Sequence, residues 1–113
     1  MTNVNQFYDG PSASFAAGDW VFVASVCVDA IGIGGGITAK LWDGTTVYGS
    51  TEFSQAAGDI VSLSICTPKV TLGGATTIKV SVADTAGGAK IKAAATDNGA
   101  GNNASTIVGI KLA

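Results

Sequence analysis

The chain has no histidine and no arginine, only two prolines and two cysteines, and just 12% of its residues are charged. Without histidine it lacks the side chain that most often moves protons near neutral pH and most often ligates metals. Six lysines against eight acids leave a net charge of −2, far from the basic footprint that binds a phosphate backbone, so nucleic acid is not an expected partner. Cys27 and Cys66 can form at most one bridge, too few to argue an oxidising compartment, and they are read as free thiols. The strongest apolar run, Trp20 to Val28, is far short of the roughly 20 residues that cross a bilayer, and no membrane partner is expected. The opening segment MTNVNQFYDG carries no basic residue and does not read as a secretory signal.

What is present is apolar and finely punctuated. Apolar residues make up 47% of the 113 positions, which excludes the charged, apolar-poor class of disordered chains. Sixteen glycines and abundant Thr, Ser, Val and Ile cut the chain into short runs, the pattern of an all-β sandwich. Ile37, Ala39 and Leu41 alternate with Thr38 and Lys40; Ile78, Val80 and Val82 alternate with Lys79 and Ser81. In the same way Ala89, Ile91 and Ala93 alternate with Lys90 and Lys92, and Val108, Ile110 and Leu112 with Gly109 and Lys111. Each of these runs therefore predicts a strand with one dry face, the lysines lying on the wet one. Asp43-Gly44 reads as a hairpin turn, and Asp84 to Gly88 as a longer hairpin loop. AKIKAAAT has good helix formers but no cap, so a strand is the better reading.

The chain also echoes itself. Ala16-Ala17-Gly18-Asp19 before WVFVASVC returns as Ala56-Ala57-Gly58-Asp59 before IVSLSIC. Two similar halves predict an antiparallel, two-sheet jelly-roll sandwich of about eight strands. Residues 1–14 form an arm or first edge strand, and residues 15–113 a single domain. In both AAGD turns the aspartate is expected to accept amide hydrogens from its own loop.

One run departs from the half-wet rule. Trp20, Phe22, Ala24, Val26 and Val28 share one parity, yet the other still carries Val21, Val23 and Cys27. An antiparallel sandwich normally solvates its outer face, so a second apolar face implies cover. The cover is either a neighbouring subunit, the reading preferred here, or the N-terminal segment around Phe7, Tyr8 and Phe15 folded over it. Candidate interface residues are therefore Trp20, Val21, Val23, Cys27, Phe7 and Tyr8. Trp42 and Tyr48, either side of the Asp43-Gly44 turn, mark a contact patch or else simply brace the hairpin.

No motif carries chemistry. In IGIGGG (residues 31–36) the sixth position counted from Gly32 is Ile37, so the dinucleotide fingerprint fails. No P-loop or calcium-loop pattern occurs, and the acids are scattered singly. No enzyme, cofactor or metal is expected. Asn98, Asn102 and Asn103 could hydrogen-bond sugars, though a solvated loop is the plainer reading; the Asn103-Ala104-Ser105 sequon is taken as chance.

Certain strings resemble a family. AGDWVFVASV (residues 17–26), AKLWDGTTV (39–47), AGDIVSL (57–63) and the closing STIVGIKL (105–112) look like C1q/TNF-like jelly rolls, with their "-GD-x-V-" strand entry and polar hairpin turn. More narrowly, KLWDGTTV followed by AAGD resembles small bacteriophage virion proteins of this shape. The resemblance spans about residues 15 to 112 and lacks a collagen-like stalk. It implies a structural virion protein, a capsid decoration or cement protein, forming a homotrimer on the major capsid protein or other virion proteins and assembled in the host cytoplasm. The alternative it leaves open is a tail or fibre module recognising a host glycan or receptor.

Overall fold

The computed structural model describes residues 3, 5–29, 34–92, 94–95, 102–103 and 105–112. Its strands in chain order are β1 (Tyr8–Phe15), β2 (Gly18–Asp29), β3 (Gly35–Trp42), β4 (Val47–Gln55), β5 (Ile60–Cys66), β6 (Val70–Leu72), β7 (Thr76–Asp84), β8 (Lys90–Lys92), β9 (Ala94–Ala95), β10 (Asn102–Asn103) and β11 (Thr106–Lys111). The chain is an all-β, antiparallel two-sheet sandwich. One sheet has the order β1-β7-β3-β4; the other is built on β2, which pairs with β11 and β8 along one edge and β5 and β6 along the other. β2 neighbours β5 while β3 neighbours β4, a Greek-key path crossing between the sheets.

The strand count exceeds eight because two long ladders are each broken once. β5 and β6 lie end to end on β2, interrupted at Thr67-Pro68-Lys69, where proline has no N–H to donate. Thr67 repairs the gap: its Oγ1 accepts the Phe22 N–H at 3.0 Å, and its own N–H donates to the Phe22 carbonyl. On the opposite edge β8 pairs residues 27–29 of β2 and β11 pairs residues 20–25. Between them the chain departs, with β9 and β10 paired as a small ribbon. Ser105 closes this gap, its Oγ accepting from Cys27 N–H and donating to the Lys92 carbonyl at 2.6 Å.

Binary patterning explains most of the core. Ile37, Ala39 and Leu41 of β3 and Ile78, Val80 and Val82 of β7 face Phe22, Ala24, Val26 and Val28 of β2, all essentially inaccessible. Full burial of each larger member is worth roughly 1.5–3 kcal/mol. Total exposed area is 5815 Å², close to the roughly 5,700 Å² that size scaling gives for a compact chain of this mass. Residues 84–88, expected as a hairpin loop, instead carry the chain from one sheet to the other, since β7 pairs β1 and β3 whereas β8 pairs β2. The buried Asp84 carboxylate holds this crossover by accepting the Ala86 and Ala89 N–H groups, and Gly87 and Gly88 supply φ values of 76° and 84°.

β11 faces the opposite way from its predicted orientation. Alternation places Val108, Ile110 and Leu112 inside, but they are 53%, 52% and 37% exposed. Ile107 and Gly109 face the core instead. The cause is steric: a Cβ at position 109 would lie 2.4 Å from Phe15 Cε1 and 3.1 Å from Phe22 Cε1. Phe15 is itself wedged edge-on between Trp20 and Phe22, with ring centroids 5.1 and 4.8 Å away. Only glycine fits beneath this aromatic cluster, so position 109 turns in and its apolar neighbours turn out. Gly109→Ala should therefore cost about 1–3 kcal/mol by overpacking, measured by urea unfolding, with Phe15→Leu recovering part of the loss; an unchanged midpoint would contradict this packing.

Candidate interaction surfaces

The turned β11 completes an apolar outer face on the β2 sheet. Cross-strand register places Val108 beside Val23 and Val23 beside Cys66; one row along, Ile110 stands beside Val21. Thr106, Ser25 and Ser64 form the neighbouring row on the other side. None of these positions carries a charged side chain. Leu112 extends the patch, its N–H bonded to the Asp19 carbonyl at 2.8 Å. Val23 is 38% exposed, Cys66 is exposed and Val21 half-buried. Farther along, Cys27 shares the outer parity but is buried at 7% exposure beside Ser105. Both cysteines are free thiols.

Among the described residues, the N-terminal segment does not cover this face. β1 is the edge strand of the opposite sheet, with Tyr8 paired to Val82 and its hydroxyl accepting the Asn3 N–H. Phe7 lies over Lys40, 4.0 Å from ammonium to ring centroid, and Phe15 turns into the aromatic cluster beneath Gly109. Trp20, grouped with the interface candidates, also turns inward: it packs against the core, stacks on Phe22 and donates its indole N–H to the Ala16 carbonyl. Of the eight candidates, then, Val21 and Val23 share the apolar patch, Cys27 lies under cover beyond it, and the rest lie elsewhere.

The outer face of the β1-β7-β3-β4 sheet has the opposite chemistry. Lys40 Nζ lies 3.6 Å from the Trp42 ring centroid as well as against Phe7, a cation–π contact to both rings. The Trp42 indole donates to Ser81 Oγ at 2.8 Å, Ser81 donates to Asp9 at 2.7 Å, and Lys79 reaches the same carboxylate at 2.9 Å. The Lys79 ammonium and Ser81 hydroxyl hold the Asp9 carboxyl below the usual carboxylate range. This network pins β1 to β7 and β3, and every polar group in it answers another. Local periodicity could not reveal it, because its members come together only through strand pairing.

Tyr48 belongs to the hairpin rather than to an aromatic pair with Trp42. A register shift after Leu41 sets Trp42 opposite Val47, and Tyr48 packs against the core while its hydroxyl donates to Asp43 Oδ2 at 2.8 Å. The other Asp43 oxygen accepts the Thr45 and Thr46 N–H groups, and Gly44 has φ 98°. The two AAGD aspartates also diverge. Asp59 accepts the Ala56 N–H within its own turn, whereas Asp19 accepts the Thr71 hydroxyl across to β6. Among the described residues no group of acids or cysteines has metal-ligand geometry. Two shallow depressions open on the surface, of about 310 Å³ beside Asp9, Pro11 and Ile91 and about 330 Å³ beside Thr38, Glu52 and Thr85. Residues 31–33 of the glycine-rich run and Asn98 lie outside the described residues, as do the side chains of Asn102 and Asn103.

Comparison with family models, curated proteins and solved structures finds no match. The chain's own surfaces therefore carry the functional argument.

The Thr46 and Thr45 N–H groups hold the Asp43 carboxyl low, and burial with the neighbouring Asp43 charge pushes the Tyr48 phenol up. A carboxyl lower in the folded than in the unfolded chain stabilises fully above the unfolded value near pH 4, and that stabilisation disappears as pH falls through the lower folded value. Asp43→Asn should thus shorten the acid limb of a stability–pH profile below about pH 4 and cost about 1 kcal/mol at pH 7 through weakened hydrogen bonds. An acid limb identical to that of the parent protein would contradict the assignment.

Proposed function

We propose that this chain is a structural virion component, a capsid decoration or cement protein that binds the head surface as an oligomer. The observation that carries the reading is the continuous apolar face of Val21, Val23, Cys66, Val108 and Ile110. Contiguous exposed apolar area on a small chain marks a contact surface, and its burial is the driving force for association. The resemblance of KLWDGTTV and the AAGD strand entries to small phage virion proteins gives the setting.

The mechanism is adhesion. Association through this face links copies, and linked copies hold a shell of major capsid protein at several points at once. Each added point multiplies residence time even where a single contact is weak. The role needs no proton transfer, cofactor or phosphate recognition, in keeping with a histidine-free chain of net charge −2.

Imaging of particles assembled with this protein should show copies repeating with the shell lattice. Val108→Lys combined with Ile110→Lys should lower occupancy about tenfold or more, because burying unpaired ammonium groups costs several kcal/mol. A few copies confined to a tail or fibre would replace this reading with that of a recognition module, and absence from the particle would overturn both.

A further inference from the structure

We propose that the apolar face pairs with the same face of a second copy across a two-fold axis, rather than closing a three-fold ring. This rests on the reading above and specifies its first contact. A ring requires two different surfaces that complement each other, whereas a two-fold contact requires one surface that complements itself. Among the described residues, four of the seven exposed large apolar side chains, Val23, Val108, Ile110 and Leu112, lie together on β2 and at the β11 end of the chain. The others, Val47, Phe53 and Ile60, stand singly at the two ends of β4 and the start of β5. Among the described residues no second apolar patch complements the first.

The face is also suited to its own copy. Its central rows contain only Val, Ile, Ser, Thr and Cys, short side chains that present an even surface, and two such sheet faces stack about 10 Å apart. No charge stands in those rows; the nearest, Asp19 at the Leu112 end, accepts the Thr71 hydroxyl and lies 4.0 Å from Lys69 Nζ, so charge is confined to the rim of the contact. The opposite outer face offers Lys40, Lys79, Asp9 and Glu52, and placing any of them against this patch would desolvate an ion. Three strands wide and seven residues long, the footprint is about 14 by 23 Å, small for a stable interface. The pairing is therefore reversible and concentration-dependent.

Sedimentation equilibrium of the intact chain from about 10 µM to 1 mM, a range set by weak-contact affinities, tests this. The average mass should rise from 11.1 kDa toward twice that value and stop. Val108→Lys and Val108→Asp should each stay monomeric with an unchanged far-ultraviolet spectrum in dilute solution. An equimolar mixture of the two should regain the doubled mass, because in a two-fold contact the altered faces meet each other. In a ring each altered face would meet an unaltered surface, and mixing would restore nothing. A mass that stops at three times the chain overturns the two-fold pairing but leaves an oligomeric decoration protein; a monomer at every concentration overturns both.

Discussion

The space denied to a side chain at position 109 governs how this molecule meets its surroundings. Phe15, Trp20 and Phe22 fill one end of the sandwich so fully that β11 can pass only with a glycine turned inward. Alternation does the rest: with Gly109 facing in, Val108 and Ile110 must face out, beside Val23 and Val21. A packing constraint at the margin of the core thus sets the chemistry of the outer surface. Shifting β11 by one residue would bury two more aliphatic side chains, but it would drive a β-carbon and more into the Phe15 ring.

β2 is the spine on which this arrangement is hung. At twelve residues it spans about 40 Å, most of the molecule's 45 Å length. Each of its edges is served by two shorter strands, and one hydroxyl mends each break: Thr67 between β5 and β6, Ser105 between β8 and β11. The polar outer face of the other sheet, with Lys40 against Phe7 and Trp42 and Asp9 between Lys79 and Ser81, fastens the first strand. The two outer faces therefore differ in kind, one with its polar groups satisfied within the chain and the other apolar and exposed.

Much of this was legible in the residues. The dry sides of β3 and β7 are plain, because branched aliphatics stand on one side and lysines, serines and threonines on the other; that Ser81 on the far side is itself fully buried between Trp42 and Asp9 is not. The doubly apolar character of β2 was equally plain. β11 is misleading because its alternation favours Val108, Ile110 and Leu112 as the dry side, with Gly109 and Lys111 on the other, whereas the core takes Ile107 and Gly109. Only two distant phenylalanine rings decide the matter, and no local pattern contains them. The same holds for the crossover at residues 84–88, whose glycines suit a hairpin and a sheet-to-sheet passage alike, and for Lys40, whose aromatic partner Phe7 lies on a different strand's approach. Equal AAGD strings likewise serve unequal ends, because Asp19 has Thr71 within reach and Asp59 has only its own turn.

The central claim is that Val108 and Ile110 face water in the single chain and lose it on association. The most direct measurement is paramagnetic relaxation of their methyl signals by an inert, soluble gadolinium chelate, in dilute and concentrated solution. The account predicts strong relaxation of both residues when dilute, comparable to other exposed methyls, and protection of both together with Val23 when concentrated. Methyls already shielded in the dilute monomer, with position 109 facing solvent, would contradict it.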